Sequence, residues 1–251
     1  MRWDWVRDHG DDILAATRQH VELTLLAVAL GLVLSLPLGL AARRWRRSEG
    51  PILGLTGALF TIPSLALFAL LVPFTGLSRT TAEIGLVSYT LLILVRNIVA
   101  GLDGVPDDVR EAAHGMGYRP LGQLMRVELP IAVPVIVAGI RIATVTTIGL
   151  VTVTGLIGQG GLGAFIIEGI NRDFRTPLVV GSVCSVALAV VADVALAAAA
   201  RLVAPWSRPC ASRPRSSSGS RPPSTGGATS ASRTASRSTP SCRSPHSRPP
   251  S

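Results

Sequence analysis

Along the chain, apolar runs alternate with polar connections. The runs cover roughly residues 21–42, 52–74, 82–102, 131–157 and 177–203. Each is long enough for the ~20 residues a helix needs to cross the hydrocarbon core. Lipid supplies no hydrogen-bond partners, so spans of this kind predict α-helices, whose backbone groups are satisfied internally. The expected fold class is all-α: a polytopic membrane protein with about five transmembrane helices. Pro37, Pro63 and Pro134 lie inside or near the ends of the runs, which membranes tolerate where neighbouring helices satisfy the freed backbone groups. Small residues within the runs permit close helix packing.

Charge then orients the spans. After the first run comes Arg43-Arg44-Trp45-Arg46-Arg47, and the connection between the third and fourth runs carries Arg110, Arg119 and Arg126. Arginine of this density marks cytoplasmic loops. Alternation places the N-terminus outside and the C-terminus inside. The loop with Arg172 and Arg175 dissents, being outer and basic. Trp3, Trp5, Trp45 and Trp206 fall outside the runs, as an interfacial belt requires. The acidic start, with Asp4, Asp8, Asp11 and Asp12, is unlike the basic n-region of a cleaved signal peptide.

The overall charge of +9 changes the picture little, because all fifteen acidic residues fall within 1–206 while eight of the twenty-four arginines fall in 207–251. The body is thus nearly neutral, and no nucleic-acid partner is expected. Three parts are expected: an extracytoplasmic segment over 1–20, a transmembrane domain over 21–206, and a tail over 207–251. The tail has no Leu, Ile, Val, Phe or acid, cannot bury enough surface to offset its ordering entropy, and is expected to be disordered. Its dispersed arginines fit a segment without function, such as out-of-frame translation, better than an electrostatic tether, which wants a cluster. Cys184, Cys210 and Cys242 form no CxxC or Cys/His group, so neither a metal site nor a disulfide framework is expected. His114 reads as a solvated helix residue.

The connection over 103–130 carries the chemistry. Pro106 opens a helix whose first turn holds Asp107 and Asp108, where the helix dipole favours negative charge. Gly115 and Gly117 allow a sharp turn, Pro120 starts a second short element, and Leu129-Pro130 returns the chain to the membrane. Glu111-Ala112-Ala113, three residues, Gly117, nine residues, then Val127-Glu128-Leu129-Pro130 resembles the EAA loop of ABC-importer permeases, with Val in place of Ile. The resemblance extends over about residues 20–203 and implies a fold like that of methionine-importer permeases. It also implies that the loop is a coupling helix, with Glu111, Ala112, Ala113, Gly117, Val127, Leu129 and Pro130 meeting a cytoplasmic ATPase.

Thr61-Ile62-Pro63-Ser64-Leu65-Ala66-Leu67, Leu94-Val95-Arg96-Asn97 and Ala138-Gly139-Ile140-Arg141 are similar to the glycine betaine/carnitine/choline branch of that family. This resemblance implies a bacterial inner-membrane subunit importing an osmoprotectant. Its partners would be the ATPase, an extracellular binding protein, a second permease copy (identical or paralogous) and the bilayer. No cofactor is expected on the chain itself, ATP being bound by the partner. An amino acid such as methionine is the alternative cargo, and a self-contained secondary transporter the alternative class. The latter predicts inverted repeats and no partner loop.

Leu156-Ile157-Gly158-Gln159-Gly160-Gly161-Leu162-Gly163 lacks the closing Gly-Lys-Ser/Thr of a phosphate loop and lies on the expected outer side. It reads as a tight turn beneath a binding-protein docking surface. Walker motifs, a nucleophile elbow and paired catalytic carboxylates are all missing, so no enzymatic activity is expected. Arg96, Arg141 and Asp193 lie inside apolar runs, where a charge costs at least ~2.5–3.5 kcal/mol and pairs or faces a polar cavity. Asp193 is expected to pair with Arg141 or Arg96, Arg96 having the second option of snorkelling to the inner headgroups. The aromatics of the spans, Phe60, Phe68, Phe74 and Tyr89, even with Phe165 from between the last two runs, outline no cage for a quaternary ammonium.

Overall fold

The computed structural model describes residues 3–203, and all regular structure within them is helical. The tail over 207–251 lies outside the described residues. A short α1 (Trp3–Asp8) leads into α2 (Gly10–Arg44). At ~1.5 Å per residue α2 is longer than the bilayer is thick, because its helix begins well before the first apolar run. The outer segment expected over 1–20 is therefore, from Trp3 on, helical and continuous with the span. Trp5 stacks on His9 at 4.3 Å and meets Phe165 and Phe174 edge-on at 6.0 and 5.9 Å.

The second run differs from expectation. In place of one span over 52–74 stand α3 (Arg46–Thr61) and α4 (Ser64–Thr75), bent by 93° at their junction. The cause is local: Pro63 disfavours helical geometry in the residue before it, and Ile62 is extended at φ −65°, ψ 126°. Tyr89 donates its hydroxyl to the Ile62 carbonyl, and Phe60 packs edge-on against the Tyr89 ring at 5.6 Å. The break is thus satisfied by a neighbouring helix, as a membrane demands. Pro37 and Pro134 leave their helices unbroken.

The centre is α5 (Arg79–Asp103), packed against α2 on one side and against α8 (Leu129–Val153) on the other. Toward one end Leu23, Phe68, Leu86 and Val151 join from four helices into a core, and toward the other Ile98, Leu102, Ala132 and Ile136 form a second. Between α5 and α8 lie α6 (Asp107–Gly115), α7 (Pro120–Gln123) and a π turn over Leu124–Glu128. After α8 come a 3-10 turn (Thr154–Ile157), α9 (Leu162–Asn171) and α10 (Arg175–Val203). The last of these packs on α8 and α9 and leaves Val183, Val186, Val190, Val191 and Val194 exposed.

The glycine run packs against α2. A Cβ on Gly161 would sit 2.7 Å from the Ala16 carbonyl oxygen, and one on Gly163 would sit 2.2 Å from that of Thr152. Backbone meets backbone here, which only glycine permits. Beside it the fully buried His20 is hydrogen-bonded through Nε2 to the Ile148 carbonyl of α8 at 3.0 Å.

Candidate functional site

Two places in this frame hold the residues singled out above. The first is the loop between α5 and α8. Pro106, at φ −59°, precedes α6, and Asp107 and Asp108 occupy its first turn, stabilised there by the helix dipole. On α6, Glu111 and Ala112 are exposed and Ala113 is buried. The helix stops in a Schellman motif: the Gly117 N–H donates to the His114 carbonyl at 3.0 Å and the Tyr118 N–H to the Ala113 carbonyl at 3.2 Å. That closure requires a left-handed residue, and Gly117 has φ +81°. The spacing between Ala113 and Gly117 is therefore a helix-stop geometry.

Pro120 then sits at the first position of α7, where its missing N–H costs nothing. The π turn contains Val127, and Leu129-Pro130 begins α8. Val127, Leu129 and Pro130 are half-buried where the loop rejoins the membrane helix.

A polar hub that sequence reasoning missed fixes the loop to the spans. Arg110 donates through Nη2 to the Leu102 carbonyl at 2.6 Å and through Nη1 to Asp107 at 2.8 Å, and its Nε lies 3.8 Å from the Glu128 carboxylate. Gln123 donates to the same carboxylate at 3.0 Å. One guanidinium therefore bridges the end of α5, the start of α6 and the π turn, using the rigid multi-donor fork peculiar to arginine. An arginine three residues after an acid and directly before the Glu-Ala-Ala stretch was the available signal. Away from this hub the loop presents Met116, Leu121 and Met125 at 70, 72 and 57 % exposure. Arg43 and Asp103 join the C-terminal ends of α2 and α5 at 3.1 Å.

The second place is the membrane interior. Arg141 of α8 donates through Nη2 to both Asp193 carboxylate oxygens of α10, at 2.8 and 2.9 Å, and through Nε at 3.1 Å. Arg96 is not brought to them: it is exposed, forms no ion pair among the described residues, and lies only ~10 Å from the C-terminal end of α5. Glu83, which the same rule on apolar runs would have flagged, is buried in α5, and neither carboxylate oxygen has a hydrogen-bond partner among the described residues.

Residues 27–205 match the family of binding-protein-dependent transport system inner membrane components. The chain belongs to this family. It is 37 % identical over 201 residues to the choline transport system permease protein OpuBB of Bacillus subtilis, covering 80 % of this chain and 93 % of that one. It is 35 % identical, with the same coverage, to the glycine betaine/carnitine/choline transport system permease protein OpuCB of that organism. Over 194 residues it is 37 % identical to the osmoprotectant import permease protein OsmW of Salmonella typhimurium, covering 75 % of this chain and 90 % of the relative.

Among solved structures, an inward-facing conformation of the MetNI methionine ABC transporter matches with a TM-score of 0.70 at 21 % identity, covering 81 % of this chain and 99 % of that chain. That likeness establishes the permease fold and nothing about cargo. The chain is a multi-pass inner-membrane component of a transport system that works with a binding protein. Its relatives are permeases, not enzymes.

Proposed function

We propose that this chain forms the translocation path of an ATP-driven ABC importer for an osmoprotectant such as glycine betaine, choline or carnitine. The cargo rests on the names of its relatives, and the coupling on the loop over 103–130. A cytoplasmic ATPase would receive α6 and the exposed Met116, Leu121 and Met125 in a groove, while the hub at Arg110 passes motion into α5 and α8. Glu111 and Ala112 would be the contact residues, with Ala113, Gly117, Val127, Leu129 and Pro130 shaping and anchoring the loop. ATP would be bound by that partner, and this chain would need no cofactor of its own.

The N-terminus would lie outside and the C-terminus in the cytoplasm. The glycine run, with α1 and α9 around it, would then underlie the surface that receives the extracellular binding protein. A second permease copy, identical or paralogous, would complete the path. The carrying observation is the loop geometry: a small exposed helix ended by a left-handed glycine and carrying exposed apolar side chains, on a chain of this family. The same geometry serves an importer of an amino acid such as methionine, so cargo is decided separately.

Glu111→Lys and Gly117→Asp should insert normally while ATP hydrolysis no longer drives uptake in proteoliposomes. Unchanged uptake in both variants would refute the coupling role.

A further inference from the structure

The Arg141–Asp193 pair stands in an unusual position for an intramembrane ion pair. Arg141 is ~18 Å along α8 from Leu129, and Asp193 ~15 Å from the end of α10, so both lie deep in the membrane. Yet their side chains are 34 and 42 % exposed. They line an open groove of about 580 Å³ between the two helices, walled by Ile142, Val145, Val190 and Val194. Charges facing acyl chains at this depth are strongly disfavoured and instead pair, or face protein or a water-filled cavity. The groove's size is that of a small-molecule site.

We propose that this groove is a transient subsite on the path for a small zwitterionic quaternary amine, a reading that rests on the import function proposed above. The hydrogen bonds of the pair use Nε and Nη2 of Arg141 and leave Nη1 outside them. That nitrogen receives the ligand carboxylate, Asp193 receives the cationic head, and the valine and isoleucine walls receive its methyl groups. A ligand with both charges enters without leaving either partner uncompensated. A ligand with a cation alone competes for Asp193 and strips Arg141 of its counter-charge, which is costly at low dielectric. Among the described residues no aromatic ring lines the groove, so the cation is held weakly compared with an aromatic cage, as a path must if cargo is to leave.

The test uses the complete importer, with ATPase and binding protein, reconstituted in proteoliposomes, and reads the ratio of glycine betaine to choline uptake. Arg141→Gln should lower that ratio about tenfold, since the ligand carboxylate loses its charged hydrogen-bond donor, whereas Asp193→Asn should lower uptake of both. A clamp that merely ties α10 to α8 would reduce both cargos by one factor in every variant, and an unchanged ratio overturns the site. Should Arg141→Gln fail to co-purify with the ATPase, Arg141→Lys keeps the charge without the fork and should lower the ratio by a smaller factor. A wild type carrying neither solute refutes the cargo reading and the site with it. A wild type carrying choline but not glycine betaine refutes the zwitterion site alone.

Discussion

The two connections at the ends of α8 solve opposite problems. At the glycine run, the chain is pressed backbone to backbone against α2 and α8, with no room for a methyl group at Gly160, Gly161 or Gly163. At the loop over 103–130, a Cβ on Gly115 or Gly117 would meet nothing within 4 Å, and large apolar side chains stand exposed. The first is held by close packing and by the buried His20. The second is held by one arginine hub and a helix-stop motif, so its own surface remains open. At the first end glycine serves close approach as well as the left-handed turns at Gly158 and Gly161, and at the second it serves the left-handed turn at Gly117 alone.

The sharpest way to break this contrast is to add a single methyl at each end. Gly163→Ala should cost about 3 kcal/mol, since the new atom meets main chain that cannot rotate away. A thermal unfolding midpoint in detergent, together with the yield in membranes, measures it. Gly115→Ala should be neutral or stabilising by ~0.5–1 kcal/mol, because alanine is the better helix former. Equal losses at the two positions would erase the distinction.

A smaller stability effect, about 1–2 kcal/mol, is expected from Arg110→Met, which removes charge-assisted hydrogen bonds to Leu102 and Asp107. Its effect on coupling should exceed its effect on folding. Uptake per ATP hydrolysed is the quantity to compare with the melting curve. The smallest stability effect belongs to Leu121→Asn, within ~0.5 kcal/mol for so exposed a position, while capture of the purified ATPase weakens several-fold. An unaltered pull-down would show that the open surface is not the docking surface.

Sequence reading went furthest where spacing itself encodes geometry. Apolar runs announced the spans, because burial in lipid acts on every residue of a helix. Gly115 and Gly117 announced a sharp turn, and the structure shows it as a Schellman stop closed by the left-handed Gly117. Sequence reading fell short where the deciding partner is remote in sequence. The elbow at Ile62-Pro63 starts from a local effect of Pro63, but the remote Tyr89 is what satisfies it, whereas Pro37 and Pro134 leave their helices unbroken. Arg110 was visible only as positive charge, since its acceptor at Leu102 is a carbonyl and Glu128 lies beyond the turn. The helical character of residues 3–20 was hidden by their polarity. Two acceptable arginines stood against Asp193, and only the packing of α8 on α10 brings Arg141 to it.

The stretch from Pro120 to Ile157 is helical without interruption, carrying the π turn at one end and the glycine run just past the other. Under the coupling proposed above such a stretch would behave as a lever arm, with a wider-wound coil where the ATPase pushes and a clamped pivot at the glycine run. A tilt imposed near Glu128 would then be delivered as sideways travel at mid-length, where Arg141 stands, and shrink toward the clamp.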